Sequence, residues 1–166
     1  QTCSFLSLVE NIYIMKRGIY KMEPLGTGKY KYEPVPNWAK LPSDLLLGDV
    51  AGIAVDDRDR VYLFNRGNHP VVVLSQSGEL ISTWGEGVFS NPHGASIGPD
   101  QCIYLTDNFD HTVRKFSLDG ILLLKIGTAG ESSGFMSGKP FCKCTHSAVS
   151  PAGDIFVSDG YQNACI

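Results

Sequence analysis

The sequence predicts an all-β fold made of repeated four-stranded units, and three observations carry that prediction. The first is texture. From Gly48 onward, short apolar runs are punctuated by Gly, Asp, Asn and Ser, and no segment shows a helical period. The second is self-similarity. Gly52-Ile53-Ala54-Val55-Asp56 followed by Arg60-Val61-Tyr62-Leu63-Phe64-Asn65 recurs as Gly94-Ala95-Ser96-Ile97 followed by Cys102-Ile103-Tyr104-Leu105-Thr106-Asp107. It recurs again as His146-Ser147-Ala148-Val149 followed by Asp154-Ile155-Phe156-Val157-Ser158-Asp159. The third is spacing, since Val55 to Asn65, Ile97 to Asp107 and Val149 to Asp159 each span 10 residues.

The elements follow in order. Residues 1–40 read as a poorly defined lead-in. Phe5-Leu6-Ser7-Leu8-Val9 and Ile12-Tyr13-Ile14-Met15 are apolar, but Glu10 and Asn11 split them. No basic stretch precedes them and no small-residue cleavage site follows, so no signal peptide is assigned and localisation stays open. Lys29-Tyr30-Lys31-Tyr32 alternates over a length suited to an edge strand. Pro34, Pro36 and Pro42 then remove ladder donors.

Residues 41–166 read as the repeat domain, with units over about 50–90, 91–140 and an incomplete 141–166. In the first two, a third strand (Val71-Val72-Val73-Leu74; Thr112-Val113-Arg114-Lys115-Phe116) leads through Ser77-Gly78 or Asp119-Gly120 into a fourth. Both dipeptides are hairpin-turn signals. The first repeat interval is 42 residues and the second 52, the difference falling in the Gly/Ser-rich stretch 128–139. A repeat of about 40–50 residues with four short strands is the mark of a β-propeller blade. One such unit cannot bury both of its faces, so neighbours must stack. Tyr62, Tyr104 and Phe156 share one repeat position and are expected to pack between blades. About two and a half blades do not close a ring, so the expectation is a piece of a longer propeller, inactive by itself.

Composition narrows the partners. Net charge is −3, the charged fraction is 19%, and no basic run or long apolar span occurs. Neither nucleic acid nor a membrane is therefore expected as partner. Five cysteines make a poor disulfide framework, and Cys142-Lys143-Cys144 lacks the second close pair of a zinc knuckle. Cys102, at the head of an apolar strand, reads as a small core residue. His69 and His111 read as solvated turn residues, and Asp107 and Asp159 as structural residues bonded to the turns that follow them.

The pattern Gly-Ile-Ala-Val-Asp, then Asp-Arg-Val-Tyr, resembles NHL repeats. Three motifs in order, Phe64-Asn65-Arg66-Gly67-Asn68-His69, Asn91-Pro92-His93-Gly94 and Val157-Ser158-Asp159-Gly160-Tyr161-Gln162-Asn163, narrow the likeness. They resemble the peptidyl-α-hydroxyglycine α-amidating lyases, six-bladed NHL propellers, over roughly residues 35–166.

That resemblance implies a zinc ion on the propeller axis held by histidines of three blades. His93 matches one of them, and the other two belong to blades beyond Ile166. It implies calcium held partly by backbone carbonyls, with Ile53 and Ala95 at the matching positions. Arg66 matches the arginine near the reacting group and Tyr161 the tyrosine taken as general base. A cysteine matching Cys142 is bridged in that family to a position that here is Gln162. Asn65 stands where the family has His, and His146 where it has Asp, departures that bring the chain closer to a bacterial NHL-protein branch.

On the residues alone each site has a plainer reading. His93 serves as a hydrogen-bonded structural histidine, Arg66 as a blade-to-blade salt bridge, Tyr161 as an inter-blade aromatic. Two functions follow: a zinc-dependent lyase cleaving peptidyl-α-hydroxyglycine to peptide amide and glyoxylate, with a small peptide or small molecule as substrate, or a non-catalytic NHL scaffold binding a protein or carbohydrate on its propeller face. A calcium-dependent lactonase-type hydrolase shares the architecture, but Asp107 and Asn108 supply its ligands only in part.

Overall fold

The computed structural model describes residues 25–137 and 139–166, and over these the chain is built from strands. The apolar runs within residues 5–15, and Cys3, lie outside the described residues. A small hairpin, β1 (Leu25–Thr27) and β2 (Tyr30–Tyr32), comes first. The first blade follows as β3 (Val50–Val55), β4 (Val61–Asn65), β5 (Val71–Leu74) and β6 (Leu80–Trp84), antiparallel in that spatial order. The second repeats it with β7 (Pro92–Ile97), β8 (Ile103–Asp107), β9 (Thr112–Phe116) and β10 (Leu122–Ile126). The third holds β11 (His146–Val149) and β12 (Ile155–Ser158). Each strand expected from the repeat is present, and two full blades with part of a third make a partial β-propeller.

The same reverse turn joins first and second strands in all three copies. Asp56 N–H bonds Arg60 O at 3.1 Å, Gly98 N–H bonds Cys102 O at 2.9 Å, and Ser150 N–H bonds Asp154 O at 2.9 Å. The Ser77-Gly78 and Asp119-Gly120 turns form as expected, with both glycines at positive φ, 83° and 85°.

Inner strands converge, β3 lying against β7 and β7 against β11. That approach explains Gly52 and Gly94. A Cβ on Gly52 would stand 2.8 Å from Ala95 N, and one on Gly94 would stand 2.5 Å from the Thr145 carbonyl oxygen. Side chains cannot fit where strands meet this closely.

The core lies at the junctions between blades. Tyr62, Phe64, Val71 and Val73 pack against Ala95, Ile103, Leu105 and Phe116 across the first junction. Phe89 joins them edge-on to Phe64, ring centroids 4.8 Å apart. The opposite face of the first blade, Val61, Leu63, Val72 and Leu74, is covered by Trp38, Leu41, Leu45 and Leu47. Trp38 donates its indole N–H to Gln76 O at 3.0 Å, and Lys40 pairs with Glu79. Residues 38–47 thus form a strap that runs past residue 40 without a break and lies on the blade.

Two expectations are corrected here. Tyr62 and Tyr104 are buried as foreseen, but Phe156 is 55% exposed, because among the described residues no further blade covers that face. Cys102 is half-buried in the turn before β8, its Sγ near Asp100 O, and is not a core residue.

Candidate functional site

Antiparallel pairing returns the exit of each second strand beside the entry of its inner strand. Val50 pairs with Asn65, Pro92 with Asp107 and His146 with Ser158. The residues just after β4, β8 and β12 therefore gather at the end where β3, β7 and β11 begin. A buried polar residue clasps each of these corners. Asn65 accepts N–H bonds from Gly48 (3.1 Å) and Gly67 (2.8 Å) and donates to His69 O (2.7 Å). Asp107 accepts from Ser90, Asn91, Phe109 and Asp110, and Asp159 from Cys142 and the Asn163 amide. The structural role read from sequence holds for both aspartates, and it extends back to the loop before the inner strand.

His93 and Tyr161 touch across the second and third blades at this end, and Arg66 of the first reaches the main chain beside His93. Arg66 Nε donates to the Pro92 carbonyl at 3.1 Å, and Nη1 lies 3.6 Å from Asp49. Its ion pair is thus within its own blade, while its contact with the next blade is a hydrogen bond. His93 is half-buried. Its Nδ1 is 2.8 Å from Thr145 O, and its Nε2 is 3.3 Å from the Tyr161 hydroxyl. The two rings stand edge-to-face, centroids 5.8 Å apart at 78°. Tyr161 is 62% exposed, and its contact with the neighbouring blade is made through His93. Ile53 and Ala95 lie two residues further along their inner strands, in equivalent register opposite Leu63 and Leu105.

A carbonyl oxygen can only accept, so Nδ1 of His93 carries a proton, and in the neutral ring Nε2 is left with the lone pair. That is the donor a zinc ion takes from imidazole. Among the described residues no group of three or more His, Cys, Asp or Glu gathers around it.

Several neighbours were not legible beforehand. His111, expected to be solvated, is buried, and its Nδ1 accepts the Lys143 N–H at 3.0 Å. Asn163, also buried, accepts Met136 N–H at 3.0 Å and donates to Ser133 Oγ at 3.0 Å, anchoring the 128–139 insertion beside Tyr161. Cys142 Sγ donates to Gln162 Oε1 at 3.0 Å where the resemblance would place a disulfide. Burial, reinforced by the nearby Asp159 and Asp107 charges, pushes the Cys144 thiol up to about 12, which makes it inert at neutral pH.

No protein-family model matches the chain. Curated relatives do. Peptidyl-alpha-hydroxyglycine alpha-amidating lyase 1 of Drosophila melanogaster is 41% identical over 93 residues, 54% of this chain and 17% of the relative. NHL repeat-containing protein 3 of Homo sapiens is 31% identical over 144 residues, 81% of this chain and 41% of the relative. The chain thus spans well under half the length of either. Among solved structures, virginiamycin B lyase from Staphylococcus aureus superimposes with a TM-score of 0.51 at 15% identity, over 66% of this chain and 34% of that one. At that identity the likeness bears on the fold alone.

Proposed function

Taking as premise that this chain is NHL-type β-propeller resembling the peptidyl-α-hydroxyglycine α-amidating lyases, we propose that it contributes to a metal-dependent carbon–nitrogen lyase. The substrate would be a peptidyl-α-hydroxyglycine or related small carbinolamide, the products an amide and glyoxylate. The observation that carries this reading is the contact of His93 with Tyr161 across two blades, with Arg66 of the first blade bonded to the carbonyl just before His93.

Each side chain has a task there. As tyrosinate, Tyr161 would take the proton of the substrate hydroxyl and return it to the leaving amide nitrogen as the C–N bond breaks; its oxygen lies 3.3 Å from the nitrogen that would hold a metal. Arg66, its guanidinium fixed through Pro92 O and facing Asp49, stabilises negative charge that develops on the substrate oxygen. His93 Nε2 would hold zinc, which when bound lowers the pKa of a coordinated hydroxyl. Calcium held by the carbonyls of Ile53 and Ala95 would have a structural role between inner strands. Zinc would need ligands besides His93, and among the described residues no group of three or more His, Cys, Asp or Glu supplies them.

A second reading, a scaffold that binds a protein or carbohydrate on this face, is favoured by two exposed aromatics, Phe109 at 58% and Tyr161 at 62%. Metal analysis separates the two. The lyase reading expects bound zinc in the protein and its loss in His93→Ala, together with loss of glyoxylate release. Zinc content unchanged by that substitution would remove His93 from the site.

A further inference from the structure

We propose that the main-chain carbonyl of Thr145, in the third blade, is the positioning group for His93. It holds the imidazole proton on Nδ1 and turns the Nε2 lone pair toward Tyr161 and an incoming cation. The proposal rests on the lyase reading for its purpose, but its geometry stands apart from any metal.

The local argument has three parts. Thr145 O is 2.8 Å from Nδ1 and has no proton to give, so the neutral ring adopts the Nδ1–H form, the less populated tautomer of free imidazole. Nε2 is then the acceptor, and the Tyr161 hydroxyl donates to it. Thr145 is itself held from two sides, its N–H bonding Ser158 O at 2.8 Å and its Oγ1 the same oxygen at 3.0 Å. Histidines that bind metals commonly present their second nitrogen to such a carbonyl, which fixes tautomer and ring direction.

The carbonyl is there because of the repeat. Inner strands converge on the glycine position, and each convergence brings a carbonyl of the following blade alongside. A Cβ on Gly94 would be 2.5 Å from Thr145 O, and one on Gly52 would be 3.1 Å from His93 O. The residue just before that glycine is Ala51 in the first blade and His93 in the second. A methyl group cannot use the carbonyl, whereas an imidazole can. Positioning is therefore an inter-blade property: the second blade supplies the ligand and the third its orientation.

The test is the nitrogen-15 NMR spectrum of the metal-free chain at about pH 8.5, some two units above the ordinary histidine pKa. His93 should show a protonated Nδ1 and an unprotonated Nε2, the reverse of the form that dominates in free imidazole. A dominant Nε2–H form at His93 overturns the proposal, and the unsubstituted chain alone decides this. In Gly94→Ala the new methyl, 2.5 Å from Thr145 O and 2.6 Å from His146 Nδ1 as the strands stand, displaces the carbonyl, and the His93 preference should collapse to that of free imidazole. A folded Gly94→Ala that keeps the Nδ1–H form overturns the role of the carbonyl. Zinc ion added to the unsubstituted chain then addresses the lyase reading separately. An Nε2 that keeps the expected tautomer but does not respond to zinc sustains the positioning role while weakening the metal assignment.

Discussion

The first and third blades carry the same inner repeat and have opposite surroundings. Tyr62 and Phe156 occupy one repeat position, yet the first is wholly buried and the second 55% exposed. Gly52 and His146 occupy another; the glycine is pressed against β7 on one side, while the histidine lies beside Gly94 of β7 and is otherwise exposed. The first blade is sealed by the second on one side and by the strap of residues 38–47 on the other. The third is covered on one side, by β7 and β8. Burial in this architecture is thus a property of junctions, not of residue types, as expected for a stack in which each unit touches only its neighbours.

The comparison is tested hardest at its aromatic position. Tyr62→Ala removes a fully buried ring from the first junction and should cost about 3–5 kcal/mol. Phe156→Ala in the same chain should stay within about 0.5 kcal/mol, as exposed substitutions do. Urea denaturation of the two variants measures the contrast. Equal losses would mean that the third blade is covered in solution by something that the contacts above do not include.

The strands were legible because they depend on local pattern. β4 and β8 read as continuous apolar runs since both faces are buried, and the turns at Gly78 and Gly120 are written in two residues each. The fate of Phe156 was not legible, because its pattern matches Tyr62 and Tyr104 and only what packs against it among the described residues differs. His111 misled for a related reason. It looks like a turn residue and is one, with φ of +61°, but the turn is roofed by the Lys143 backbone from 32 positions away. In the site, Arg66, His93 and Tyr161 could be picked out as motif residues. The Thr145 carbonyl could not, because a main-chain group has no signature in sequence.

A smaller effect is expected at the glycine position. Gly52→Ala places a methyl group 2.8 Å from Ala95 N and 3.0 Å from Ala95 Cβ. Both strands are held by ladders, so neither yields freely, and overpacking should cost about 1–3 kcal/mol. His146→Ala, in the same position of the third blade, should change stability by about 0.5 kcal/mol or less. Thermal unfolding compares them directly. A Gly52→Ala variant as stable as the parent would show that the inner strands can separate and that their convergence is not what requires glycine.

The smallest predicted contrast concerns pH, at the turn between first and second strands. Asp56 accepts N–H bonds from Arg58 (3.0 Å) and Arg60 (2.9 Å), the Arg60 Nε–H at 2.6 Å and the Tyr62 hydroxyl at 3.2 Å. Burial alone would raise its pKa. The hydrogen bonds from Arg60 and Arg58 and the Arg60 charge outweigh burial and hold the carboxyl below its ordinary 3.8. Folding therefore favours the charged form. The stability it adds is complete above about pH 4 and disappears as pH falls through the lower folded value. Ser150 stands at this position in the third blade, accepting the Asp154 N–H at 3.1 Å in an exposed turn, and carries no such charge. Asp56→Asn should lower stability at pH 7 by about 1 kcal/mol, a deficit that shrinks as pH drops below 4. Ser150→Ala should stay within about 0.5 kcal/mol at every pH. Urea midpoints from pH 7 to pH 3 read both curves. A deficit for Asp56→Asn that is constant across that range would mean that the carboxylate acts there only as a neutral hydrogen-bond acceptor would, and that its ionisation is not linked to folding.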